Sequence, residues 1–274
     1  MVPLIRGQSG LREIDASSPQ SYRTFKSRRY HARMTFQLGN SRLLAVLCLV
    51  LAGTMRAETQ GSPVPANLTS AQIVAQLERR SQAREEGLKE YKSVRHYQVE
   101  YHGFGTTLTA KMEVEVNFDA SSGKSFRVVS QSGSKALLEK VLKRAVESEK
   151  EAAQNKGSTA LTAANYRFRL AGCEDLGGRP AYVLDVEPLV ASKFLYKGKI
   201  WVDAADFALV KIEAEPARNP SFWIARTLIR QTYGKTGNFW LPVQNRSETK
   251  VRVGGAAVFT IDYGAYQIVS NASY

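Results

Sequence analysis

The chain has 274 residues, 43% of them hydrophobic, and a formal net charge of +13. Nine of its 38 Lys+Arg and two of its 25 Asp+Glu fall within residues 1–57, which leaves 29 against 23, a net +6, in the remainder. A charge that small, with no basic block to track phosphates, argues against a nucleic-acid partner.

Taken from the N-terminus, residues 1–33 are rich in Arg and Ser and precede Met34, which would open a signal of ordinary length. An over-extended start is expected there, with the signal at 34–57. Arg42 supplies its basic end, and Leu43 to Ala52 an apolar core of about ten residues, short of the ~20 that span a bilayer. Cleavage after Ala57 or after Ala52 is expected, and Cys48, preceded by Ala45, Val46 and Leu47, lacks a lipid-anchor context. The implied location is the periplasm. One cysteine, Cys173, is then left, so no internal disulfide is available to the exported part.

Residues 58–66, ETQGSPVPA, form a linker before a single domain at 67–274. Asn67 to Thr69 offer helix caps, and 70–92 carries Ile73, Val74, Leu77 and Leu88 among charges, predicting an amphipathic helix. From residue 93 the period becomes two: Tyr97, Val99 and Tyr101 alternate with Gln98, Glu100 and His102, and Met112, Val114, Val116 and Phe118 alternate with charged or polar neighbours. The segment GKSFRVVSQ, with Phe126 and Val128, completes a hairpin. A second helix is predicted over 134–154, with Ser134 as N-cap, a stripe of Leu138, Val141, Leu142, Ala145 and Val146, and a solvated polar second half. Seven further strand segments follow, separated by hairpin turns such as DLGG, DAAD and GKTG.

The expected fold is therefore α+β: an antiparallel meander of about ten strands, which twist curls into an open half-barrel, with its apolar concave face covered by two or so helices. Ten strands at ~4.8 Å make a sheet near 45 Å wide, and two helices ~10 Å across cover about half of it. The rest must be filled by side chains, a second copy or a ligand. Met112, Val114, Val116, Phe118, Phe126 and Val128 are the candidate lining, and the loop residues Phe222, Trp223 and Ile224 the candidate rim, after a strand exit stiffened by Pro216 and Pro220. The alternative for that loop is a plug belonging to the core.

Signals for catalysis are absent from this pattern. Cys173 ends a strand before a Gly-rich turn, with no helix following to lower its pKa. His96 and His102, six residues apart on one strand, are ~20 Å apart and cannot share a metal. The glycine pairs 177–178 and 254–255 are turns rather than phosphate loops. The expectation is a binding protein without cofactor or metal.

The hairpin GKIWVDAADFALVKIE, 198–213, with Gly198, Trp201 and Asp203 as Gly-x-x-Trp-x-Asp, resembles the periplasmic outer-membrane lipoprotein carrier (LolA-like) family and related lipoprotein-sorting proteins. The resemblance implies a half-barrel whose concave face, lidded by helices, accepts lipid or lipoprotein acyl chains passed between membrane-associated donor and acceptor proteins. Members also include outer-membrane receptors and envelope-stress sensors. The missing lipobox cysteine sets this chain apart from the receptors.

Overall fold

The computed structural model describes residues 68–270 except 220 and 253; the expected signal, its cleavage sites, Cys48, the linker, Asn67 and Pro220 lie outside these residues. Thr69 caps helix α1 (Ser70–Gly87) in a reciprocal capping box with Gln72. The helix ends at Gly87, five residues before the boundary expected from sequence, because Leu88 and Tyr91 are buried in strand β1 (Leu88–Gly103) rather than on a helical face.

Strands β2 (Thr106–Asp119) and β3 (Gly123–Gly133) follow as hairpins. The second helical region comes in pieces: α2 (Lys135–Leu137), a π-helical turn (Leu138–Leu142), α3 (Lys143–Gln154) and the short α4 (Lys156–Thr159). Ser134 stands at the N-cap, but its side chain makes no capping bond. Then come β4 (Tyr166–Asp175), β5 (Pro180–Pro188), β6 (Tyr196–Asp203), β7 (Leu209–Pro216), β8 (Ile224–Thr236), β9 (Phe239–Val251), β10 (Gly255–Tyr263) and β11 (Gln267–Ser270). The segment expected to be one last strand, 257–269, is two, which raises about ten strands to eleven.

All pairings are antiparallel, in the order β3-β2-β1-β10-β9-β8-β7-β6-β5-β4, with β11 beside the lower part of β1. The sheet is open, with β3 and β4 as edges. The convex face carries the charges, in cross-strand pairs such as Arg230–Glu248 and Lys197–Glu187.

The concave face is packed in two halves. Leu138, Leu142 and Val146 cover Met112, Val114 and Val116 together with Tyr97 and Val99. Ile73, Val74 and Leu77 cover Tyr182, Leu184, Val186, Ile200, Val202 and Ile212. Between the halves the floor turns polar. One row runs Ile212, Gln231, Asn245, Ile261, Tyr97, Met112 across six strands. At its centre Asn245 Nδ2 donates to Gln231 Oε1 at 3.0 Å, and nearby the hydroxyls of Thr227 and Thr249 pair at 3.0 Å.

The hairpin β6–β7 explains its own motif. A Cβ on Gly198 would stand 2.5 Å from the Glu213 carbonyl oxygen and 2.6 Å from Ala214 Cα, so only glycine fits the close strand approach. Trp201 lies on the convex face as an aromatic shield over Ala181, Val183 and Val210; its Nε1 donates to Glu174 at 2.7 Å, and Lys211 sits 4.0 Å over its ring. Buried Asp203 accepts from the Ala205 and Asp206 amides at 3.0 and 2.7 Å and from Arg179 Nε at 2.8 Å. Asp203→Ala would leave those turn amides without their acceptor, and urea unfolding should register a loss of about 1–3 kcal/mol.

Candidate ligand-binding site

The residues expected to line a cavity divide into three groups. Met112, Val114 and Val116 are buried beneath the second helical region, Phe118 and Phe126 are half-buried at its margin, and Val128 is exposed on edge strand β3. Phe222 and Trp223 are exposed, which removes the core-plug alternative, and Ile224 is half-buried as the first residue of β8.

Within the filled half lies a charge that the hydrophobic pattern did not announce. Arg95, 2% exposed, shares its strand face with Tyr97 and Val99. Its Nη1 donates to Glu149 Oε2 at 2.6 Å, while Lys124 Nζ donates to Glu149 Oε1 at 2.9 Å. The guanidinium also lies 4.8 Å from the Tyr263 ring and 5.8 Å from Phe126. Burial works against charge on Arg95, yet Glu149 and the surrounding tyrosines hold its pKa above the usual arginine value. Burial likewise pushes the Glu149 carboxyl upward, but Lys124 and Arg95 outweigh it and hold it below the ordinary carboxylate range. Arg95 Nε, Ser93 Oγ and the Tyr97 hydroxyl are buried without a hydrogen-bond partner among the described residues.

A cavity of about 190 Å³ lies where the two packed halves meet, under the second half of α1 and against the lower ends of β7, β8 and β9. Leu77, Leu161, Leu209, Phe239 and Trp240 supply apolar wall, and Arg80, Arg84 and Glu85 bring charge from α1. Arg80 Nη2 reaches the Asn238 carbonyl at 3.5 Å. Tyr233 closes the floor, its phenol pKa pushed up by burial. The local reason for the cavity is in the helix: after Leu77, α1 buries no side chain before Gly87, so its second half spans the space without filling it. Phe222–Ile224 do not line this cavity.

No family model matches the chain, and no curated protein matches it. Solved structures do. A DUF1329 family protein from Desulfovibrio piger is 12% identical with a TM-score of 0.41, covering 76% of this chain and 96% of its own. An outer membrane lipoprotein-sorting protein domain from Vibrio parahaemolyticus is 10% identical with a TM-score of 0.38, covering 74% and 95%. The LolA superfamily protein NE2245 from Nitrosomonas europaea is 12% identical with a TM-score of 0.33, covering 74% and 94%.

Cys173 is an exposed free thiol on edge strand β4. His102 is engaged with Glu100 and Thr107, at 2.6 and 3.0 Å. Among the described residues, no three His, Cys, Asp or Glu side chains are grouped to hold a metal, and no helix is long and apolar enough to cross a membrane.

Proposed function

We propose that the protein is a non-enzymatic periplasmic carrier or chaperone for a hydrophobic ligand, an acyl chain of a lipid or lipoprotein. The observation that supports this reading is the cavity under α1: walled by Leu77, Leu161, Leu209, Phe239 and Trp240, roofed by a helical segment that places no large apolar side chain in it, and bordered by the guanidinium groups of Arg80 and Arg84, suited to an anionic head group, beside the single carboxylate of Glu85. At about 190 Å³ it is below the ~300–1,000 Å³ of small-molecule sites, so it accommodates an alkyl segment as it stands and a longer chain once the second half of α1 lifts. Export by the signal at 34–57 would place such a carrier between two membranes.

Titration of a fluorescent fatty-acid probe into purified protein, with native mass spectrometry of the material as isolated, tests the reading. Ala83, half-buried on the cavity wall, provides the variant. Ala83→Phe should fill the space and weaken probe binding about tenfold or more while leaving thermal stability near that of the parent. No copurifying lipid together with no probe uptake would sink the proposal.

The packing of Leu138, Leu142 and Val146 over Met112, Val114 and Val116 favours a second reading, an interaction or sensor module with a filled core that signals through a protein partner. Crosslinking in the native envelope separates the two: recovery of lipoproteins alone speaks for the carrier.

A further inference from the structure

Five large apolar side chains stand exposed in loops among the described residues, and all five lie at one end of the sheet: Phe104 at the β1–β2 tip, Leu189 and Val190 after β5, and Phe222 and Trp223 after β7. The loops at the opposite end, 120–122, 176–179, 204–208, 237–238 and 264–266, hold none. Exposure is deep, at 77% for Phe104, 73% for Val190, 76% for Phe222 and 61% for Trp223.

Three of the tips form one surface. The Phe104 ring lies against Gly254 in the β9–β10 turn, where any Cβ would collide with it, and Gly254 holds a left-handed φ of 93°. The Tyr101 hydroxyl donates to the Gly254 carbonyl. In the same turn the Arg252 amide donates to the Trp223 carbonyl at 2.8 Å, and the Arg252 guanidinium lies 5.3 Å over the Phe222 ring, which meets Trp223 edge-on at 5.7 Å. Backbone bonds and stacking therefore hold the aromatics outward.

The charge at this end is net positive. Glu187 and Glu215 are paired with Lys197 and Arg226, and Glu100 lies 2.6 Å from the His102 ring, an ion pair only when that ring is protonated. Arg218, Lys250 and Arg252 have no acidic partner among the described residues. A second copy docking through this rim would set those cations against themselves, whereas an anionic bilayer surface complements them and receives amphipathic Trp and apolar Phe at its interface.

We propose that this rim is a peripheral membrane-docking edge, which seats Phe104, Phe222 and Trp223 in the interface of an anionic bilayer under the basic residues Arg218, Lys250 and Arg252. The inference is independent of the ligand reading, because the cavity under α1 is at the other end of β7–β9.

Co-sedimentation of the full protein with phosphatidylcholine vesicles, with and without phosphatidylglycerol, tests it. The protein should sediment with the phosphatidylglycerol vesicles, with a blue shift of tryptophan emission. Phe222→Ser with Trp223→Ser should lose at least tenfold in vesicle affinity and remove the shift. Arg218→Ser with Arg252→Ser should cost about fivefold per arginine on anionic vesicles only. Phe104→Ser, on a different hairpin, supplies a second variant should the first pair lower the melting temperature. Failure to sediment, unchanged affinity in these variants, or self-association in sedimentation velocity that the same variants abolish would overturn the proposal. Probe uptake measured with Ala83→Phe is unaffected by any of these outcomes.

Discussion

Glu149→Gln should lower the unfolding free energy by about 3–5 kcal/mol, because it removes the charge that compensates a guanidinium held almost entirely out of water. The neighbours of Arg95 are rings and an aliphatic core, so no other carboxylate replaces the lost partner. The effect carries a pH signature. With the Glu149 carboxyl held below its ordinary value in the fold, its contribution is complete above the unfolded carboxylate pKa and is lost as pH falls through the folded one. Urea unfolding across acidic pH should therefore show the parent losing stability as Glu149 takes up a proton, and the Glu149→Gln variant, already lacking that contribution, following a flatter course. Arg95→Met with Glu149→Met, which removes both charges, should recover much of the loss.

Leu142→Ala should cost about 2–5 kcal/mol in the same measurement. Leu142 is fully buried and sits in the π-helical turn, between Leu138 and Val146, over Met112, Val114 and Val116. Truncation opens a void between a helix and a sheet that cannot close on each other without moving the turn. If unfolding shows a loss well under 1 kcal/mol, the region is loosely packed, and the three residues beneath it return to contention as ligand lining. Their burial is the clearest separation between an apolar face expected to be under-covered and the cover that is there.

The alternation in 97–101 and 112–118 placed β1 and β2 and their inward faces correctly, because a sheet with one wet side writes its geometry into every second residue. The strands expected at β8 and β9 are present, but an apolar inner face is not what they carry there. In IRQT the inner face mixes Ile229 with Gln231, and in QNRSET both faces are polar, so nothing local says that Asn245 points to the concave side; the register with Ile212, Gln231 and Ile261 decides it. Arg95 did leave a trace, sharing parity with Tyr97 and Val99, but its partner is 54 residues on, in a helical stretch whose charges read as solvated. The cavity left none, since its walls come from an unpacked half-helix and three strand ends that only the tertiary fold assembles.

The placement of β1 carries one more consequence. The first strand's second edge is occupied by β10 above and β11 below, pairing Leu88 with Ser270, so β1–β3 join the remaining strands only through the last part of the sheet to be synthesised. Such long-range closure makes for slow folding, since the entropy of the intervening loop is lost before the contacts that offset it form. A nascent chain with this topology stays unable to complete its sheet until residue 270 has emerged.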